Sequence, residues 1–431
     1  MRKSNLLGGA LLLAALFVNT SCKEIFGNMD LSGDTTVSSY VAINTASKTA
    51  APAEEFTLSI TKIGDGTVTW SSSDPAIAEV QGAGLNAKVI AKKSGNATIT
   101  ANVAAAGNYQ AGSAKCAVAV RVNDFEQLKT ELAAEGTEVK VYLADAAAIE
   151  MDEDVDITGK KVAIIGGTNT AMTVKKAFQI DNDFALSNVK IDFSEQASYF
   201  VGFKNATEEV VKIGDVTFEN IVAKNMKQPL FASKQKNYLM NNISITNSIV
   251  EMGASKQVID LSSGSSAYNV NFEKSTFYAS VSHTTATYKS QGGQHIQELD
   301  PTGIQTFNLL NSTFYKLSYG KNFFELRSKG VTYQTYNLKN NIFVDCGKSG
   351  QVVVGVNHGQ TSANPTWDVD SNVFNYDGSD TSAAEVTKAG KDSKDKQIVQ
   401  NSIAKVVTFK DAAKGDFTQS DAQVGDPRWI K

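Results

Sequence analysis

Cysteine is scarce: the 431 residues hold three, at positions 22, 116 and 346. A disulfide framework therefore finds no support, and Cys116 and Cys346, in separate segments, read as two buried thiols. Proline is nearly as rare, at six, while Asn, Ser, Thr, Val and Gly are plentiful, a balance that fits an exported all-β protein. Charge of one sign is missing too: 41 Lys and Arg against 45 Asp and Glu give a net −4 without long runs, which excludes the electrostatic footprint of a nucleic-acid binder. Of three histidines, His283 and His295 lie close in sequence, but no cysteines or carboxylates accompany them in a ligand pattern. No metal site is expected.

Long apolar runs are limited to one, residues 6–18, behind Arg2 and Lys3. It is too short to span a bilayer and reads as a secretory h-region. Asn19, Thr20 and Ser21 then lead into Cys22. This stretch resembles the lipobox of bacterial lipoprotein signal peptides, with Asn19 or Thr20 where Leu or Val is usual. The resemblance implies removal of residues 1–21 and acylation of Cys22, whose several chains would hold the protein to a membrane. Lys23 and Glu24 resemble the export signal of Bacteroidota surface lipoproteins, and no Asp follows to suggest inner-membrane retention. The expected location is the outer membrane, lipid-anchored and exposed at the cell surface, with residues 22–35 as a polar stalk.

Seven short strand-like runs follow, at 37–43, 55–60, 68–70, 77–80, 87–91, 97–103 and 117–122, separated by Gly, Asp, Asn or Ser. That density of strands predicts a β-sandwich over residues 36–122. Val68, Trp70, the turn Ser73-Asp74-Pro75, the apolar Ile77 and Val80, and the stretch from Lys92 to Thr100 resemble the group 2 bacterial Ig-like domain. The resemblance implies that Trp70 packs between two sheets and that the module is a spacer or adhesive unit.

Residues 124–134 predict a short amphipathic helix, with Phe125, Leu128 and Leu132 on one face, and residues 138–143 a strand. A repeat then begins. Val162, Val189, Val216, Ile243 and Val270 start similar strands in steps of 27, and Phe307, Tyr336 and Trp367 continue in steps of 37, 29 and 31. Each coil would stack its strand on the previous one at about 4.8 Å. Alternate residues such as Val216 and Phe218 would face inward, followed after a polar corner by Phe277, Phe314, Phe343 and Phe374. Asn220, Asn247, Asn311 and Asn340 hold the corner, with Lys274 and Ser371 as exceptions, because Asn tolerates the left-handed conformation. The expected fold is all-β: an Ig-like β-sandwich, then, over residues 123–431, a right-handed parallel β-helix with a short N-terminal capping helix. The stretches Phe307 to Tyr315 and Tyr336 to Val344, and the ending Gly425 to Trp429, resemble β-helical domains of Bacteroidota lipoproteins encoded beside glycan-uptake systems. Likeness to pectin-lyase-type carbohydrate-active β-helices rests on architecture alone.

Chemistry is sparse. Asp192, Glu219 and Glu273 take similar outward strand positions, but Thr246 breaks the row, so no facing acid pair for hydrolysis appears. A lyase would need a base and a charge neutraliser, and Glu325, Arg327 and Lys329 are the nearest constellation. Ca²⁺ enters only under that alternative, and no other cofactor is expected. The 37-residue step puts ten extra residues into a long loop carrying His283, Tyr288, Lys289 and His295, with Tyr315, Tyr319 and Tyr333 on neighbouring coils. Aromatics beside amides and a lysine suit sugar recognition. The reading leans against an enzyme: a surface lipoprotein that binds polysaccharide, with outer-membrane glycan-uptake proteins as partners and the membrane reached through lipid. The alternatives are a polysaccharide lyase or hydrolase and a non-catalytic adhesin.

Overall fold

The computed structural model describes residues 36–203, 205, 207–233, 237–326, 334–347, 356–357, 366–380 and 401–431. The expected signal segment and Cys22 lie outside them.

Two four-stranded sheets make the N-terminal sandwich. Leu58, Val89, Ile99, Cys116 and Val118 fill the space between them, with Trp70 packed at its side and its indole N–H bonded to the Gly84 carbonyl at 2.9 Å. The Asp74 turn closes as its sequence suggests, the carboxylate accepting the Ala76 N–H at 3.0 Å. An eighth strand, Ser47–Ala50, pairs in parallel with Gly112–Val120. Its residues Ser, Lys, Thr and Ala carry no apolar alternation, which is why the sequence reading missed it.

Helix α1, Phe125–Ala133, is capped by Asp124, whose side chain accepts from Gln127 N–H, and buries Phe125, Leu128 and Leu132 over the first coil. It also ties the two parts together. Glu131 accepts the backbone N–H of Ser94 at 3.0 Å and its hydroxyl at 3.2 Å.

Among the described residues nine coils of a parallel β-helix follow, their strands assembled into three sheets. In sheet I, Val216, Ile243, Val270, Phe307, Tyr336 and Trp367 stack in register as expected. The earlier coils do not keep the step of 27. Val162 pairs with Phe184, which pairs with Val216, while Val189 sits at the corner before the sheet II strand Lys190–Asp192. One coil is shorter and the next longer by the same amount, so the average period hid the shift. Asp192 therefore lies in sheet II, away from the Glu219 and Glu273 row of sheet I.

The corner between sheets I and II accounts for the regularity. Asn188, Asn220, Asn247, Lys274, Asn311, Asn340 and Ser371 all adopt φ between 48° and 59°. From Asn247 onward the next residue turns inward and forms a fully buried polar ladder of Ser248, Ser275, Ser312, Asn341 and Asn372, where the two earlier coils have Val189 and Ile221. Each side-chain oxygen accepts the backbone N–H of the preceding coil, at 3.0–3.2 Å. Beside the ladder the rings of Phe277, Phe314, Phe343 and Phe374 stack at 4.8–5.3 Å.

The outward faces of the sheet II strands Thr276–Ala279, Thr313–Tyr315, Ile342–Val344 and Val373–Tyr376 are packed as well, by the C-terminal segment. Val407, Ala422 and Val424 cluster with Ile342 and Val373, and Phe417 packs on Tyr278 and Tyr315. Buried Asp426 pairs with Arg428, whose guanidinium also donates to the corner carbonyls of Asn247, Ser248 and Lys274.

Candidate functional site

The turn from sheet II to sheet III, whose strands run from Val155–Asp156 to Val356–Asn357, carries a cluster of exposed functional groups. After the strands Thr313–Tyr315, Ile342–Val344 and Val373–Tyr376 the chain reverses through Lys316, Asp345 and Asp377, at φ 55°, 52° and 50°. Their side chains, with Tyr315, Tyr319 and the segment Ala279 to His283, line a groove of about 480 Å³. Because its residues come from successive coils, the groove runs along the helix axis for roughly 14 Å at the usual strand spacing.

Tyr319 is 40% exposed. Its ring lies against Tyr376, centroids 5.3 Å apart and planes 11° from parallel, and its hydroxyl donates to Asp377 at 3.2 Å. Asp345 accepts the Asp377 N–H at 2.8 Å. The result is a supported aromatic face with two carboxylates and the Lys316 ammonium around it. Tyr315 reaches the same groove, but Phe409 and Phe417 take its ring edge-on, at 5.9 and 5.6 Å.

His283 is fully buried beneath this face. The Lys256 carbonyl, 2.6 Å from Nε2, can only accept, so Nε2 carries the proton. Nδ1 then accepts the Ser318 N–H at 2.9 Å, and the His283 carbonyl accepts the Tyr319 N–H at 2.8 Å. Burial pushes the imidazole below its ordinary pKa, against the backbone bond to Lys256. A neutral ring is what this geometry requires. His283 positions the Tyr319 turn rather than touching a ligand, and with both ring nitrogens engaged it has no lone pair for a metal.

The other expected site residues are distributed differently. The segment from His283 to His295 is not a loop, because Tyr288–Ser290 forms a sheet III strand between Ile259–Leu261 and Phe324–Leu326. Tyr288 is wholly buried, edge-on to Phe307 at 5.4 Å, and is a core residue rather than a sugar platform. The extra residues of this coil instead make helix α2, Gln294–Leu299, and the turn after it. His295 sits there, nearly buried, its Nδ1 2.7 Å from Glu298. Lys289 is on the outer face of sheet III between Asp260 and Glu325 in register, an alternation of charge that suits cross-strand pairing. Arg327, Lys329 and Tyr333 lie outside the described residues, and so does Cys22. Among the described residues no group of three His, Cys, Asp or Glu is placed to hold a metal.

Of the expected residues the groove thus brings together His283, Tyr315 and Tyr319. Lys316, Asp345, Asp377 and Tyr376 were missed. The available signal was their position just past equivalent strands, where the Tyr315, Val344 and Asn375 register aligns Lys316, Asp345 and Tyr376, with Asp377 one residue on.

Comparison with known families agrees with the two-part architecture. Residues 147–280 match a domain of unknown function (DUF4957), spanning the sheet II strands from Ala148–Met151 to Thr276–Ala279 and ending just short of His283. No curated protein and no solved structure matches the chain. Residues 41–113 match the bacterial Ig-like domain of group 2, and the N-terminal sandwich is a domain of that kind.

Proposed function

We propose that this chain is a polysaccharide-binding surface protein, which takes a glycan chain along the groove beside Tyr319. One observation carries the reading: an exposed ring, held flat by Tyr376, stands among carboxylates in a groove parallel to the coil axis. An apolar ring face matches the C–H face of a sugar, and fixed carboxylates accept its hydroxyls. A groove that crosses several coils offers repeated contacts to a polymer. Under this reading Cys22 carries the lipid that tethers the protein at the outer membrane of a Bacteroidota cell, next to a glycan-uptake system, and the Ig-like module is the spacer.

Affinity electrophoresis of residues 23–431 across plant, host and microbial polysaccharides tests it, with Tyr319→Ala and Asp377→Asn alongside. Retardation by at least one glycan, lost in Tyr319→Ala, is the expected result. Retardation that survives both substitutions would move the site elsewhere, and none across the panel would favour the adhesin reading. Release of new reducing ends would favour the enzyme reading.

A further inference from the structure

A second groove, of about 560 Å³, lies at the corner between sheets I and II in the first coils, beside the Ig-like domain. That size is ordinary for a small-ligand site. The second coil shapes it, because five residues, Gly166 to Thr170, join its strands Lys161–Ile165 and Ala171–Val174. The next coil has only Asn188 and Val189 between Phe184–Ser187 and Lys190–Asp192. The long turn must pass tightly over its neighbours. A Cβ on Gly166 would stand 2.2 Å from the Asn188 carbonyl oxygen, and one on Gly167 would stand 2.5 Å from Asp145 Oδ1.

The polar groups here differ in sign from those around Tyr319. Asp145 is the lining carboxylate, and it already accepts the Thr168 N–H at 2.6 Å. Two cations line the same groove. Lys190 uses one donor on Asn169 Oδ1, at 2.8 Å. Arg121 gives three N–H groups to Gly95 O, Val120 O and Asn96 Oδ1, and its guanidinium stands 5.1 Å over the Tyr142 ring. The guanidinium carries five donors, so two remain. In the Lys190 coil and the one after it, Asn220 donates to Asn188 Oδ1 at 2.7 Å, which leaves the Asn188 NH₂ and the Asn220 side-chain carbonyl lining the groove. Fixed amides that present both a donor and an acceptor, in one groove with two cations, form a set that reads hydroxyls and an acid group together.

We infer that this groove binds an anionic sugar, its acid group between Arg121 and Lys190 and its hydroxyls on Asn188 and Asn220. The site is separate from the Tyr319 groove and stands whether or not that reading holds.

The test uses three ligands that share one neutral disaccharide: lactose, 3′-sialyllactose and 3′-sulfolactose, titrated into residues 23–431 by calorimetry. At least one acidic ligand should bind and lactose should not. The carboxylate and sulfate arms tell which acid is preferred. Lys190→Gln and Asn188→Gly should each weaken binding about tenfold or more, and Asn188→Gly keeps a residue at ease with φ 59°. No acidic ligand bound, equal binding of lactose, complete competition by an equal concentration of inorganic phosphate, or loss only in Tyr319→Ala would each overturn the assignment. Circular dichroism of Lys190→Gln and Asn188→Gly keeps misfolding apart from lost contacts.

Discussion

Replacing Arg428 by Ala should release the C-terminal segment while leaving the coils intact. Arg428 donates to Asn247 O at 3.0 Å, Ser248 O at 2.6 Å and Lys274 O at 3.3 Å, and it is the ionic partner of Asp426, whose side chain is fully buried. Hydrogen bonds to a charged group contribute about 1.5 kcal/mol or more each, less where the carbonyl regains water. An unpaired buried carboxylate adds several kcal/mol. Asp426 keeps the Thr276 hydroxyl, at 2.7 Å, and the Arg428 backbone N–H, at 3.1 Å, and Arg428 is itself 34% exposed. Both facts pull the total down, to about 3 kcal/mol, or a roughly 100-fold larger undocked population. Hydrogen exchange reads this directly. The amides of Ile403, Gln419 and Gly425, which bond to Asn372 O, Trp429 O and Asn340 O, should exchange about 100-fold faster. Amides of Val216 and Ile243 in sheet I should not change. In Arg428→Ala with Asp426→Asn, part of the loss should return, because no charge is left buried without a partner. Unchanged tail protection, or equal loss across sheet I, would refute the docking argument.

Phe314→Ala removes the ring stacked between Phe277 and Phe343 and edge-on to Phe323, and urea denaturation should show a loss of about 3–5 kcal/mol. His283 gives an acid-sensitive term. Its folded pKa lies below the unfolded value of 6.5, so the unfolded state binds the extra proton, and stability falls as pH drops below about 6.5 and on through the folded pKa, by at most about 1.4 kcal/mol per pH unit. Denaturation midpoints between pH 7.5 and 5.5 should be flatter in His283→Gln, and an equal slope in both proteins would sink the assignment.

How much was legible follows from what repeats. The register from Val216 to Trp367 and the Phe277 series could be read because alternation and corner recur in each coil. The step from Val162 through Phe184 to Val216 could not, since a short and a long coil average to the regular spacing. Burial on both sides hid more. Thr276–Ala279 and Val373–Tyr376 are buried throughout, because a segment over a hundred residues distant for the former covers their outer faces, and a local pattern does not carry that. Tyr288 was misjudged for a related reason. An aromatic in a polar run looks like a loop residue until three neighbours, Ile259, Phe307 and Phe324, close around it. The groove residues fared worst, since Lys316, Asp345 and Asp377 mix a cation with two carboxylates and are joined only by a turn that recurs from coil to coil.

That shared turn allows stability and function to be separated. A residue with a Cβ in the left-handed region is strained by roughly 1 kcal/mol, and Asn bears it better than Lys. At the corner between sheets I and II, Asn188, Asn220, Asn247, Asn311 and Asn340 follow that preference. Lys274, φ 48°, and Lys316, φ 55°, do not. Lys274 has an ion-pair partner, Glu273, at 3.3 Å, on its own coil, and Arg428 reaches it only through its carbonyl. Lys316 lines the Tyr319 groove with its ammonium 5.1 Å above the Tyr315 ring. Asn at either position should therefore raise stability by several tenths of a kcal/mol, up to about 1. Only Lys316→Asn should also weaken retardation in affinity gels. If Lys316→Asn stabilises the fold and leaves glycan retardation untouched, the lysine is a tolerated strain and the groove loses one of its proposed contacts. Equal weakening by Lys274→Asn would instead mean that the gels report fold stability rather than contact with sugar.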